Sequence, residues 1–143
     1  MKTICCVCGG NEFENRPVLW DSLIEDWQLS AHEIDYINRQ QGHTCKSCGS
    51  NLRSRALAKA FITSYGSRKN FSEFVAKEVD HIKILEINKA GSLTQFLNNH
   101  PGHHLVEYPA FDMMNLKLPS FEYDVVLHSD TLEHIIDPIA GLK

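Results

Sequence analysis

The first half of the chain shows apolar residues at helical spacing in three segments. These segments are residues 21–27, 30–42 and 51–65. Ser30 and Glu33 have the spacing of a capping box, which predicts that the second helix starts at this serine. Because apolar residues recur every three or four positions in the third segment, we expect one stripe of it to be buried. The residues of that stripe are Leu52, Ala56, Leu57, Ala60 and Phe61.

The second half of the chain has short β-branched runs separated by turns. The predicted strands are residues 82–87, 104–108 and 121–127, and a short helix over 72–79 precedes them. The third run does not alternate between apolar and polar residues, which is typical of a parallel strand covered on both faces. Ser92 is predicted to open a helix after the first strand. A strand, a small-residue turn and a helix form the arrangement that meets a nucleotide-type cofactor in an open α/β sheet.

Gly66 begins a polar break of five residues between the two halves, which predicts a domain boundary. We therefore predict a metal-binding module with a linking helix over 1–65 and an α/β region over 73–143. The chain has 143 residues and a net charge of −4, so general attraction to nucleic acid or anionic membranes is not expected. It has neither a membrane-length apolar run nor the features of a signal peptide, and we expect a cytoplasmic protein without a membrane partner.

Two Cys-x-x-Cys pairs, each followed by glycine, carry the strongest chemical signal. They are Cys5 with Cys8 and Cys45 with Cys48. Four thiolates suit the tetrahedral coordination of zinc, and the glycine after each pair can adopt positive φ to close a tight turn. The segment between the pairs is long and predicts a helical hairpin inserted between two zinc-ribbon-like knuckles. Because four thiolates leave no open coordination position, the predicted zinc is structural.

Other interpretations of the cysteines stay open at this point. The pairs are also compatible with a redox dithiol or with thiols that bind no metal. Cys6 replaces Cys5 as a ligand only if the turn distorts, and His43 is interpreted as a surface residue. Between Arg39 and Lys69 every charged residue is basic, which indicates either a solvated face or a face that binds phosphate or nucleic acid.

Three motifs in the second half resemble those of a class I methyltransferase of the type 11 kind, which uses S-adenosylmethionine (SAM). Residues 84–87 and the following turn are similar to motif I, residues 112–119 to the adenine-contacting segment, and residues 123–138 to the motif after strand 4. The cysteine-rich head followed by residues 51–55 also resembles the N-terminal extension of some bacterial members. The resemblance implies a Rossmann-like parallel sheet, of which this sequence holds the first part.

The resemblance also implies a SAM site. Glu86 would organise the motif I turn, and Glu107 would accept hydrogen bonds from the ribose hydroxyls. The remaining cofactor positions would form the turn under SAM, edge its adenine and lie below its methyl group; they are Asn88, Ala90, Gly91, Asp112, Met113, Ser129 and Asp130. The positions where motif I normally has three glycines read Asn88, Ala90 and Ser92.

The expected function is therefore SAM-dependent methyl transfer to an acceptor that the sequence does not specify, with activity of this chain alone in question. The alternatives are a non-catalytic zinc-binding assembly module with a degenerate half domain, and a nucleic-acid-binding zinc module. The family's sheet continues beyond the strands found here. The strand over 121–127 would then have an unpaired edge, so we expect either self-association through that edge or a longer parent protein.

Overall fold

The computed structural model describes residues 3–119 and 122–142, and the chain forms two compact units. The cysteine unit is Met1–Phe71 and the sheet unit is Ser72–Lys143. None of the helices in the described residues has the length and apolar character needed to span a membrane.

The cysteine unit is built on a two-stranded antiparallel sheet of β1 (Phe13–Asn15) and β2 (His43–Cys45). Between the strands lie the two expected helices, α1 (Asp21–Asp26) and α2 (Ala31–Gly42). A longer helix, α3 (Leu52–Ser64), follows β2. The helical hairpin was predicted, whereas the sheet at its base was not, because strands of three residues leave no periodic pattern to detect.

The start and end of α2 follow from local contacts. At its start the Glu33 N–H donates to Ser30 Oγ, and the Ser30 N–H donates to Glu33 Oε2 at 2.8 Å, which confirms the capping box. At its end the Arg16 N–H donates to the Gly42 carbonyl at 3.0 Å. A Cβ on Gly42 would lie 1.9 Å from the Arg16 carbonyl oxygen. The chain before α1 thus lies directly against the glycine that ends α2.

The buried stripe of α3 differs from the predicted one. The buried residues are Ser54, Ala58, Phe61 and Ile62, whereas Leu52 is 44% exposed and Ala56 and Ala60 are exposed. Only Phe61 belongs to both sets, so the stripe prediction is wrong in its angle around the helix. Apolar character misplaced it because small side chains such as Ser54 and Ala58 can occupy the packed face of a helix.

The sheet unit contains three parallel strands in the order β4, β3, β5. They are β3 (Ile84–Ile87), β4 (His103–Val106) and β5 (Val125–His128). The predicted strands are therefore present, with shifted ends, and residue 121 of the third lies outside the described residues. Helix α4 (Phe71–Lys77) precedes β3. The remaining elements are a 3₁₀ turn over Gly91–Leu93, α5 (Thr94–Leu97), 3₁₀ turns over Met113–Asn115 and Leu132–His134, and α6 (Pro138–Gly141).

Two expectations about this unit are corrected. The segment after β3 begins as a 3₁₀ turn at Gly91 and becomes α-helical only at Thr94, rather than at Ser92. Strand β5 is not covered on both faces in the described part of the chain, because Val126 is 51% exposed. In strand β3 all four residues are buried, since the strand has a neighbour on each side.

Candidate functional site

The four cysteines of the two Cys-x-x-Cys pairs converge on one point. Their sulfur atoms all lie within 4.8 Å of one another. The Sγ atoms of Cys5 and Cys48 are 3.8 Å apart, and those of Cys8 and Cys45 are 3.7 Å apart. A disulfide requires about 2.05 Å, so these are four separate thiols. Four sulfurs placed about 2.3 Å from a tetrahedral zinc would be about 3.8 Å apart, so the cluster has the dimensions to hold such an ion.

The two turns that carry the cysteines repeat the same backbone hydrogen bonds. In the first, the Gly9 N–H donates to the Cys5 carbonyl at 2.8 Å, and the Cys5 N–H donates to the Gly10 carbonyl. In the second, the Gly49 N–H donates to the Cys45 carbonyl, also at 2.8 Å. Gly9 and Gly49 have φ values of +80° and +73°, as the glycine after each pair predicts. The cluster is thus held by two matching knuckles.

The thiols influence one another's ionisation. Burial is the main cause that raises the pKa of Cys5, and it raises the pKa of Cys8 to about 12. Burial also opposes ionisation of Cys45, but N–H groups of Cys48 and Ser47 and the neighbouring thiols outweigh it and lower the pKa of Cys45 to about 7. The cluster therefore accommodates one negative charge readily and further ones poorly. A divalent cation at its centre would supply the missing positive charge.

Residues outside the cysteine pairs support the second knuckle. The Arg55 guanidinium lies 4.9 Å from the centre of the Phe13 ring, and its Nη2 donates to the His43 carbonyl at 3.3 Å. The His43 ring stacks on Phe13 with 5.1 Å between centroids. Cys6 is not part of the cluster, since its Sγ donates to the Arg55 carbonyl at 3.3 Å. No spacing rule indicated these contacts, because they join residues that are distant in the sequence.

The basic residues between positions 39 and 69 do not form one free face. Arg39 pairs with Asp35 at 2.7 Å, and Lys46 lies 3.6 Å from Glu12. Arg55 is committed to the β1–β2 sheet as described above. Among the basic residues of this segment, these three already have acidic or structural partners, which leaves less charge available for phosphate groups.

The sheet unit has a separate candidate site, a cavity of about 500 Å³ at the carboxyl ends of its three strands. Four of the residues expected to contact SAM line it: Asn88, Asp112, Met113 and Asp130. The other five expected residues do not line it: Glu86, Ala90, Gly91, Glu107 and Ser129. The structure adds residues that were not assigned to the cofactor: Tyr108, Phe111, Met114, Thr131, His134, Ile135 and Ile136.

Four of the five expected residues outside the cavity have a clearly different environment. Glu107 is exposed and lies 3.6 Å from the Lys89 ammonium group. Ala90 is buried, and Gly91 is exposed with φ +61°. Glu86 is fully buried, and its Oε1 accepts hydrogen bonds from the Ala90 N–H and the Thr94 hydroxyl. The expected contact of Glu86 with the turn is present, although its carboxylate does not reach the cavity.

Two non-glycine residues of the cavity have backbone conformations that are rare for L residues. Asn88 follows β3 with φ +54°, and Asp130 follows β5 with φ +52°. The Asn88 side chain accepts a hydrogen bond from the Tyr108 N–H at 3.0 Å, which links the ends of β3 and β4. Backbone strain of this kind concentrates at ligand sites, where neighbouring structure maintains it.

Comparison with protein-family models, curated proteins and solved structures gave no match for the chain.

Proposed function

We propose that this chain binds a structural zinc ion in the cysteine unit and SAM in the cavity of the sheet unit, as part of a methyltransferase. The observation that carries the second half of the proposal is the convergence of three strand ends on one cavity. Four of the nine residues that the sequence resemblance implies for SAM lie on its lining, namely Asn88, Asp112, Met113 and Asp130.

The zinc assignment rests on the chemistry of the ligands. Four thiolates at tetrahedral spacing favour a soft, redox-inactive ion, and they fill its coordination shell. No position remains for water or substrate, so the ion would hold the knuckles together rather than take part in a reaction. Elemental analysis of the purified protein tests this directly. We expect one zinc per chain, and a metal-free folded protein would refute the assignment.

The SAM assignment rests on topology, size and charge. Strand β3 is followed by β4 on one side and β5 on the other, and cofactors of α/β proteins bind where the strand order changes direction. The cavity volume is in the range of about 300–1,000 Å³ that small-molecule sites occupy. Its described lining contains Asp112 and Asp130 but neither Lys nor Arg, which suits a ligand with a positive sulfonium.

SAM would supply an already activated methyl group, so the protein would contribute orientation and exclusion of water. Aromatic and aliphatic walls such as Phe111 and Ile135, both half-buried, can provide a partly dry surround. Asp130 lies at the end of β5, and we assign it the interaction with the positive charge of the ligand.

Isothermal titration of the purified chain with SAM, and separately with its demethylated product, tests the proposal. We expect saturable binding to the wild type and a loss of about tenfold, or ~1.4 kcal/mol, for Asp130→Asn. Asp80→Asn is the matched control, because Asp80 is an exposed acid of the same unit that does not line this cavity. Absence of binding at millimolar SAM, with the sheet unit folded, would refute the SAM half of the proposal.

A further inference from the structure

One buried carboxylate joins three segments of the sheet unit. Glu86 has no exposed surface. Its Oε1 accepts from the Ala90 N–H at 2.7 Å and from the Thr94 hydroxyl at 2.6 Å. Its Oε2 lies 2.7 Å from Nε2 of His103, at the start of β4. Glu86 therefore connects the turn after β3, the helix after that turn and the neighbouring strand.

The contact with His103 is the part of this network that the motif I resemblance does not account for. The His103 side chain is only 6% exposed. A carboxylate can only accept, so Nε2 must carry the proton in this hydrogen bond. Burying a carboxylate costs several kcal/mol unless charge or donors compensate for it, and the donors here are shared between both oxygens. Without His103, Oε2 would lose its partner in a place that water does not reach.

The turn that Glu86 holds follows β3 directly and also meets the cavity. Asn88 lines the cavity with φ +54°, two residues before the Ala90 N–H that Glu86 binds. The Thr94 hydroxyl, in the helix that follows the turn, donates to the same carboxylate. If the carboxylate changed its position, its bonds to Ala90 and Thr94 would both weaken. The conformation of Asn88 would then lose part of the support that maintains it.

We propose that His103 is a positioning residue: through Glu86 it fixes the turn 88–91, and thereby the shape of the cavity where Asn88 lines it. Its role in ligand affinity rests on the proposed function, whereas its effect on the turn does not. His103 acts from behind the turn, on the opposite side of β4 from its neighbour His104, whose Nδ1 pairs with the Tyr123 hydroxyl. The two adjacent histidines thus contact different residues on opposite sides of the strand.

Two substitutions of His103 that differ in side-chain length test the inference. His103→Gln places an amide donor near the position of Nε2, whereas the side chain of His103→Asn is too short to reach Glu86. Both are polar, so neither leaves an apolar side chain beside the buried carboxylate. His104→Asn is the control for the loss of a histidine from the same strand. The amide resonances of Asn88 and Ala90 report on the turn, and those of Ile139 and Ala140, at the capped start of α6, serve as an internal reference.

We expect His103→Asn to shift the Asn88 and Ala90 resonances and to weaken SAM binding about tenfold, while His103→Gln restores both. The Ile139 and Ala140 resonances should stay in place in every variant. Unchanged Asn88 and Ala90 resonances in His103→Asn would overturn the inference, as would equal behaviour of the two His103 variants. If the wild type does not bind SAM, the proposed function fails, and the resonances still decide whether His103 fixes the turn.

Discussion

The two units differ in how site and scaffold are related. In the cysteine unit they coincide, because Cys5 and Cys45 are fully buried and belong to both the cluster and the core. In the sheet unit they overlap only in part: Met113 belongs to both the core and the cavity lining, whereas the charged lining residues Asp112 and Asp130 are exposed. Loss of the cysteine cluster should therefore unfold the first unit, whereas loss of the charged cavity residues should leave the second unit folded.

The largest expected effect is that of removing one ligand from the cysteine cluster. Zinc binding contributes about 10–16 kcal/mol in small Cys-rich folds, against a total stability of about 5–15 kcal/mol for a typical domain. Cys45→Ser should therefore abolish the fold of the cysteine unit. Amide resonances of Phe13 and Thr44 should collapse toward random-coil values, while those of β3 should persist. A chelator should have the same effect on the wild type.

Cys6→Ser is the matched control for this experiment. Cys6 lies in the turn of Cys5 and Cys8, but its Sγ contacts the Arg55 carbonyl and not the cluster, and a serine hydroxyl can donate to the same oxygen. We expect the Cys6→Ser protein to retain its metal and its melting temperature. If Cys6→Ser and Cys45→Ser lost metal equally, or if neither did, the assignment of the four ligands would be wrong.

The same contrast explains what could be predicted from the sequence. The cysteine cluster was found because its ligands come in two local pairs whose spacing and glycines dictate the turn. The cavity was found only in part, since Tyr108 and Phe111 enter it from a loop whose path no periodicity reveals. The pairing of His103 with Glu86 depends on the register of β4 against β3, which short apolar runs do not determine. The stripe of α3 was misplaced for a related reason, because the small residues Ser54 and Ala58 share its buried face with Phe61 and Ile62, while the larger Leu52 is exposed.

A smaller effect is expected from the exposed edge of β5, which changes assembly rather than folding. In an antiparallel pair of β5 strands from two copies, centred on Val126, Asp124 of each copy would face His128 of the other. The apolar Val126 side chains would meet at the centre, where each is 51% exposed in the single chain. This apolar contact, on an edge that no described strand covers, favours a second copy as the partner.

Val126→Lys should therefore weaken the dimer by at least about tenfold, or ~1.4 kcal/mol. The substitution places like charges opposite each other while leaving the melting temperature of the sheet unit unchanged. Sedimentation velocity over a concentration series measures the dimer, and Glu122→Lys, on an exposed residue outside the strand, is the control. A wild type that stays monomeric at high concentration would rule out the β5 contact.

The smallest effect concerns the cysteine unit again, at a position away from its cysteine cluster. Ser30→Ala removes the side chain that accepts the hydrogen bond from the Glu33 N–H, and loss of such a cap costs about 1 kcal/mol.

Hydrogen bonds from the Ser30 hydroxyl and N–H lower the pKa of Glu33 in the folded state. The capping box therefore contributes stability that is present above the unfolded pKa of Glu33 and is lost as pH falls through its lower folded pKa. Melting curves should show a separation between the wild type and Ser30→Ala that is widest near neutral pH and narrower in acid, where only the bond from the Glu33 N–H to Ser30 Oγ still distinguishes them. A separation that stayed constant down to low pH would mean that Ser30 stabilises the helix without Glu33. A loss of melting temperature as large as that of Cys45→Ser would mean that the cap is as important to the fold of this unit as the cysteine cluster.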